Sequence, residues 1–191
     1  MSDDAKVPDI IIERAVELWC RALKRPEKDN GDQSYHGAIG RGMAEANMEA
    51  QIAKVDDYPA AIERFREILV KRLKFARDHE GELTGKGAGS AHPERYRLTH
   101  GLHCDYNPDR ELAEAAEEAG LPLSAFSWKS DVSYYGGKAV STSFGYGVGD
   151  TYHYPLSDGR WLVCKLQGED MPKIVKAVEE GHLTLEVEDA R

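Results

Sequence analysis

Residues 128–166 read WKSDVSYYGGKAVSTSFGYGVGDTYHYPLSDGRWLVCKL, and the fold turns on this stretch. Residues that favour strands alternate with residues that favour turns, and five of the chain's nine tyrosines fall inside it. Gly136-Gly137 between two alternating runs predicts one hairpin, and Ser157-Asp158-Gly159-Arg160 predicts a second. Trp161-Leu162-Val163-Cys164 is apolar on both faces, the pattern of a central, covered strand. Between the hairpins lies a glycine-rich tip, Phe144-Gly145-Tyr146-Gly147-Val148-Gly149-Asp150. The fold class that follows is α+β: a helical N-terminal half, then a small antiparallel sheet with one or two covering helices.

Upstream of the sheet the spacing is helical. Pro8-Asp9 opens a first helix whose apolar face is Ile11, Ala15, Leu18, Trp19, Ala22 and Leu23, with Pro26 as its stop. A second helix is predicted from about Ser34 to Val55, with an irregular start because Gly37, Gly40 and Gly42 each cost about 1 kcal/mol against alanine. A third begins near Pro59 and turns Ile62, Phe65, Leu69 and Leu73 or Ala76 inward. Residues 81–94, GELTGKGAGSAHPE, read as a linker between a helical region (1–80) and a mixed region (95–191), the whole also being consistent with one compact domain. Arg95 to His103 reads as a strand. Asn107-Pro108-Asp109 caps a helix that ends at Ala119-Gly120. Its inner face is mostly alanine, so something large must pack close above it. Asp170 opens a last short helix, and Leu183 to Val187 reads as the final strand.

Composition limits the function classes. The chain has 191 residues, 41% apolar and 31% charged, which is the profile of a globular protein with its own core. Its net charge is −9, and the excess lies in residues 91–191, which hold 17 acidic and 10 basic side chains. That balance argues against a nucleic-acid-binding sheet, since phosphate contacts need Lys and Arg, and is compatible with a basic partner. Apolar runs such as Ile10-Ile11-Ile12 are too short to span a bilayer, so no membrane partner is expected. The acidic, polar start and three widely spaced cysteines, Cys20, Cys104 and Cys164, predict reduced thiols and a cytoplasmic setting.

Two segments invite a ligand and fall short. Gly81 to Gly87, GELTGKG, is one residue short of a phosphate-binding loop and has glycine where the Mg²⁺-binding hydroxyl belongs. His92, His100, His103 and Cys104 are candidate zinc ligands, but no second pair stands at zinc spacing, and His153 and Cys164 would have to be recruited from the sheet. No metal and no cofactor is therefore expected.

Arg97-Leu98-Thr99-His100-Gly101, Ser141-Thr142-Ser143 and Glu186-Val187-Glu188 occur in that order, and together they loosely resemble the ADP-ribosyltransferases. The resemblance implies that Arg97 or His100 would hold NAD, Ser141 would orient it, and Glu188 would stabilise oxocarbenium charge. It rests on three short fragments and is taken as the alternative reading. The leading one is a non-enzymatic protein-binding or regulatory protein of the bacterial or phage accessory kind. Its predicted binding face is Tyr134, Tyr135, Phe144, Tyr146, Tyr152 and Tyr154, since tyrosine joins apolar area to a polar handle at low entropic cost. A protein partner is expected, with self-association left open. The two readings differ in what must converge: His100, Ser141 and Glu188 around one cleft, or the tyrosines exposed together.

Overall fold

The structure, a computed structural model, describes residues 7–26, 35–78, 101–135, 138–145 and 149–189, with backbone alone for 35–37 and Tyr135. Helices come first: α1 (Asp9–Lys24), α2 (Tyr35–Ile52) and α3 (Tyr58–Asp78). Strand β1 (Leu102–Cys104) and helix α4 (Arg110–Ala119) follow, then a short 3₁₀ turn, Leu123–Ala125. Strands β2 (Ser130–Tyr135), β3 (Ala139–Phe144), β4 (Thr151–Pro155) and β5 (Trp161–Cys164) run in succession. Helix α5 (Met171–Glu179) leads to β6 (Val187–Glu188). The six strands form one antiparallel sheet in chain order, β1 to β6. The chain is an α+β protein, as the alternation of residues 128–166 predicts.

Register divides the side chains, because neighbours along a strand point to opposite faces. Val132 pairs with Thr142, Tyr134 with Val140, Val140 with His153, His153 with Val163, and Trp161 with Glu188. These residues share the inner face, under α1, α3 and α4. The outer face carries His103, Asp131, Ser133, Ser141, Tyr152, Tyr154, Leu162 and Val187, linked by the intervening pairs.

The inner core is built around Trp19, which is fully buried. Its ring lies 5.8 Å from Phe126 and 5.4 Å, edge-on, from Phe144, and Phe126 in turn meets Phe65 at 5.8 Å. Edge-to-face geometry sets the positive ring edge against the negative ring face. Ala115, Ala116 and Ala119 of α4 are all buried, and their small size lets α3 pack against α4. Arg64 of α3 donates to the Ala119 carbonyl at 3.0 Å, so the last turn of α4 keeps a partner. Gly120 ends the helix at φ +78°, a conformation that glycine adopts without steric cost. A second, smaller core lies on the outer face, where Met171 and the half-buried Ile174, Val175 and Val178 of α5 meet Tyr152, Tyr154, Leu156 and Leu162.

The structure revises several local expectations. Helix α2 runs unbroken through Gly37, Gly40 and Gly42, since Ala38 and the alanines that follow, Ala44, Ala46 and Ala50, supply propensity that the glycines lack. Strand β5 is covered on both faces as expected, yet it lies next to the sheet's edge, with only β6 beyond it. Leu166, two residues past the strand, is 50% exposed. The final strand is two residues long, Val187–Glu188, and does not begin at Leu183. The linker at 81–94 and the strand start at 95–100 lie outside the described residues.

Because Trp19 joins α1 to both the sheet and α4's flank, truncating it leaves a cavity that three elements cannot close together. Trp19→Ala should cost about 3–5 kcal/mol in denaturant unfolding. Leu166→Ala, on the exposed loop, should change stability by no more than about 0.5 kcal/mol.

Candidate binding surface

The two ends of the outer face differ. Where β4 and β5 run, α5 covers it with apolar side chains. At the β1–β2 end it carries polar side chains open to solvent. His103 pairs across the strands with Asp131, and its Nδ1 meets Asp131 Oδ2. The His103 side chain is half exposed and the Asp131 side chain is a third exposed. Ser133 Oγ donates to the other Asp131 oxygen at 2.5 Å. The hydrogen bond to Asp131 raises the His103 pKa, burial opposing it.

One step along, the ladder continues past the strands. Lys129 N–H donates to the Asp105 carbonyl at 2.9 Å, and the Lys129 ammonium pairs with the Asp105 carboxylate. Tyr106 is 62% exposed, its ring centroid 6.1 Å from that of Trp128, and Lys129 Nζ lies 4.5 Å from the Tyr106 centroid. Lys129 has φ +54°, the left-handed region that costs a side-chain-bearing residue about 1–2 kcal/mol. The backbone bond and the ion pair to Asp105 hold it there. The outcome is an aromatic corner, Tyr106 and Trp128, set beside two cross-strand charge pairs.

Asp109 braces this end of the sheet. Its Oδ1 accepts from Leu112 N–H at 3.1 Å as the N-cap of α4, and its Oδ2 accepts from His103 N–H at 2.9 Å. Its own N–H donates to the His103 carbonyl at 2.9 Å. The outward backbone groups of His103 are thereby satisfied, which blunts β1 as an edge. Burial pushes the Asp109 carboxyl up to about 6, although both backbone N–H groups pull the other way.

On the inner face a second polar cluster lies between α1 and the far end of the sheet, with Arg14 enclosed and Arg21 and Glu188 partly exposed. Arg14 is 4% exposed, and its guanidinium carbon lies 5.1 Å from the Trp161 ring centroid. Arg14 Nη2 is 3.0 Å from His153 Nδ1 and 2.5 Å from Glu188 Oε2, and Arg21 Nη1 reaches the same oxygen at 2.7 Å. Burial, then the Arg14 charge, depresses the His153 pKa to about 4, so the ring is neutral at pH 7 and its Nδ1 accepts the Arg14 proton. Burial pushes the Glu188 carboxyl up, but hydrogen bonds from Arg21 and Arg14 outweigh it and hold the pKa at about 2. Glu17 accepts from Arg21 at 3.1 Å and pairs with Arg66 at 2.8 Å, which extends the network to α3.

The residues singled out from the sequence are dispersed by this fold. Ser141 lies on the outer face and Glu188 on the inner one, so the sheet separates them; Arg97 and His100 are outside the described residues. Among the described residues the expected tyrosine face does not come together. Tyr134 and Phe144 point into the inner core, Tyr134 at 2% exposure and Phe144 against Trp19. Tyr152 and Tyr154 are buried on the opposite face, with hydroxyls donating to Gln167 Oε1 at 2.8 Å and to the Leu166 carbonyl at 3.2 Å. Alternation along β2 to β4 explains the split, since even-numbered residues of β2 and β4 fall on different faces once the register is set. The Tyr135 side chain and Tyr146 are outside the described residues. Of the zinc candidates, His103 is exposed on the outer face while Cys104 is buried on the inner one, and His92 is outside the described residues. Among the described residues no group of three or more potential ligands converges, and no helix is long and apolar enough to cross a membrane. A shallow depression of about 470 Å³ at the start of α3 is lined in part by Lys24, Tyr58 and Glu63, and Glu63 also pairs with Arg66 of the inner-face network at 3.2 Å.

Sequence reasoning passed over Arg14, Tyr106 and Trp128. Arg14 carried a signal, a charge flanked by Ile11 and Ala15 on α1's apolar face. Tyr106 and Trp128 are far apart in sequence, and only the β1–β2 register brings them together. In comparisons with known families, curated proteins and solved structures, the chain matches none.

Glu188 has a depressed pKa in the fold, so its contribution is present above its unfolded value near 4.5 and is lost as pH falls toward 2. Glu188→Gln should cost about 2 kcal/mol at pH 7, below the range for a fully buried pair because the carboxylate is partly solvated. Denaturant unfolding at pH 7 and pH 3 checks this: the gap between wild type and variant should narrow at the lower pH.

Proposed function

We propose that this protein is a non-enzymatic binding module that grips a protein partner with the β1–β2 end of the sheet, around Tyr106 and Trp128. One observation carries the reading: Tyr106 stays 62% exposed although an aromatic ring and a lysine stand beside it. Tyrosine and tryptophan are enriched among the residues that dominate binding energy, because they bury large rigid areas at low entropic cost. The charge pairs His103–Asp131 and Lys129–Asp105 form a polar rim around that corner. The strained Lys129 backbone is in keeping with it, since non-glycine left-handed residues cluster at functional sites. The negative charge of residues 91–191 favours the approach of a basic partner. The NAD-using alternative gains no support from Ser141 and Glu188, which lie on opposite faces.

The test compares wild type with Tyr106→Ala and Trp128→Ala as baits, with quantitative mass spectrometry of what each retains and titration of any partner found. Tyr106→Ala should weaken the partner at least tenfold, the loss of an anchor worth about 2 kcal/mol or more. Its melting temperature should move by no more than about 2 °C, as for a surface side chain. A partner held equally by all three proteins would remove this surface from the reading.

A further inference from the structure

We propose that the Arg14–Arg21 pair is a carboxylate receptor filled in cis by Glu188, and that an extended acidic peptide of a partner protein displaces β6, pairs with β5 and places its own carboxylate there. The proposal is independent of the surface around Tyr106.

The receptor is built without β6. Arg14 comes from α1, is 4% exposed, lies over Trp161 and is oriented by His153 at 3.0 Å. Its position is therefore set by inner-face packing. The present occupant uses it only in part. Glu188 takes both arginines through one oxygen, Oε2, at 2.5 and 2.7 Å. Arg14 Nε is buried and has no hydrogen-bond partner. A guanidinium fork binds a carboxylate best through two parallel N–H···O bonds, and a buried donor left unmade is destabilising. A carboxylate free of β6's short tether can turn to meet Nε as well.

The occupant is also weakly held. Strand β6 makes two residue pairs, Glu188 with Trp161 and Val187 with Leu162, and one further bond, Val163 N–H to the Glu186 carbonyl at 3.0 Å. His182, Leu183 and Thr184 in the connection from α5 are exposed. Displacing this strand would uncover an edge of β5, to which a peptide can add by main-chain hydrogen bonds.

The edge specifies what it accepts. The position opposite Trp161 faces Arg14 and Arg21 and takes an acidic residue. The position opposite Leu162 faces the α5 cluster, where Val187 now packs, and takes an apolar one. The partner segment is thus an extended run in which an apolar residue is followed by an acidic one. In wild type the tethered β6 competes at an effective concentration of order mM, so a free peptide binds weakly until the latch is loosened.

The experiment uses full-length protein and a fluorescein-labelled peptide of residues 183–189, Leu-Thr-Leu-Glu-Val-Glu-Asp, followed by anisotropy. Glu188→Gln loosens the latch and should bind this peptide at least tenfold more tightly than wild type. A peptide with Gln at the position of Glu188 should bind at least tenfold more weakly than the parent. Adding Arg14→Lys to the Glu188→Gln protein should narrow the difference between the two peptides, because lysine lacks the fork while Arg21 still meets the carboxylate. Absence of saturable binding to folded Glu188→Gln protein, or equal binding of both peptides, overturns the proposal. Should that variant not fold, Val187→Thr loosens the same latch with Glu188 intact; the two peptides should again differ at least tenfold, and equal binding again overturns the proposal. A wild-type chain that sediments as a dimer, with Glu188→Gln monomeric, would make a second copy's β6 the occupant and overturn the claim of a foreign partner.

Discussion

Helix α1 is the element on which the rest depends, and Arg14 is its critical side chain. Ile11, Ile12, Ala15, Val16, Leu18, Trp19 and Leu23 are buried, because α1 lies between α3 and the sheet and contacts both. A helix buried so widely would ordinarily be apolar all round. This one carries an arginine into the interior, and an isolated charge there would cost several kcal/mol. Glu188 offsets it as counter-ion, Trp161 lends its ring face, and His153 accepts a hydrogen bond because it stays neutral. One side chain thereby joins the first helix to β4, β5 and β6, which are 139 to 174 residues away.

The two faces of the sheet have different physical characters. The inner face is covered by α1 and the helices packed with it, and its buried charge is paired with Glu188, although Arg14 Nε and the Tyr134 hydroxyl are buried without a hydrogen-bond partner. The outer face is sealed only where α5 lies. At its other end the His103–Asp131 pair stands open to solvent next to the exposed Tyr106 ring and the half-buried Trp128, and Asp109 stiffens that end by joining β1 to the start of α4. A surface held by a capped helix and a strained turn loses little entropy on binding. Weakness is concentrated at the opposite edge, where β6 has two residue pairs and one carboxylate. Stability and exchangeability are thus at opposite ends of the same sheet.

Much of the architecture was legible because local signals carry it. The periodicity of α1 and α3, the Asp109 cap, the Gly120 stop and the two hairpins each follow from a few neighbouring residues. The extent of the last strand was not legible. Leu183 to Glu188 has strand-like composition throughout, but pairing depends on where β5 ends, and Cys164 ends it early. The continuity of α2 was missed for the complementary reason, that the glycine cost is spread over a helix rich in alanine.

By itself the sequence determined which segments are helical, which are extended, and that the sheet is antiparallel, since hydrophobic period, caps and turns are short-range properties. Only the tertiary structure decided which side chains meet. Alternation says that Tyr134 and Val132 share a face, but not whether that face is the one bearing Tyr152. That depends on register summed across three strands, and here it separates Tyr134 from Tyr152 and Ser141 from Glu188. The same summation brings Tyr106 to Trp128 and Glu188 to Arg14. Contacts of that range are set by packing between distant segments, and no local pattern encodes them.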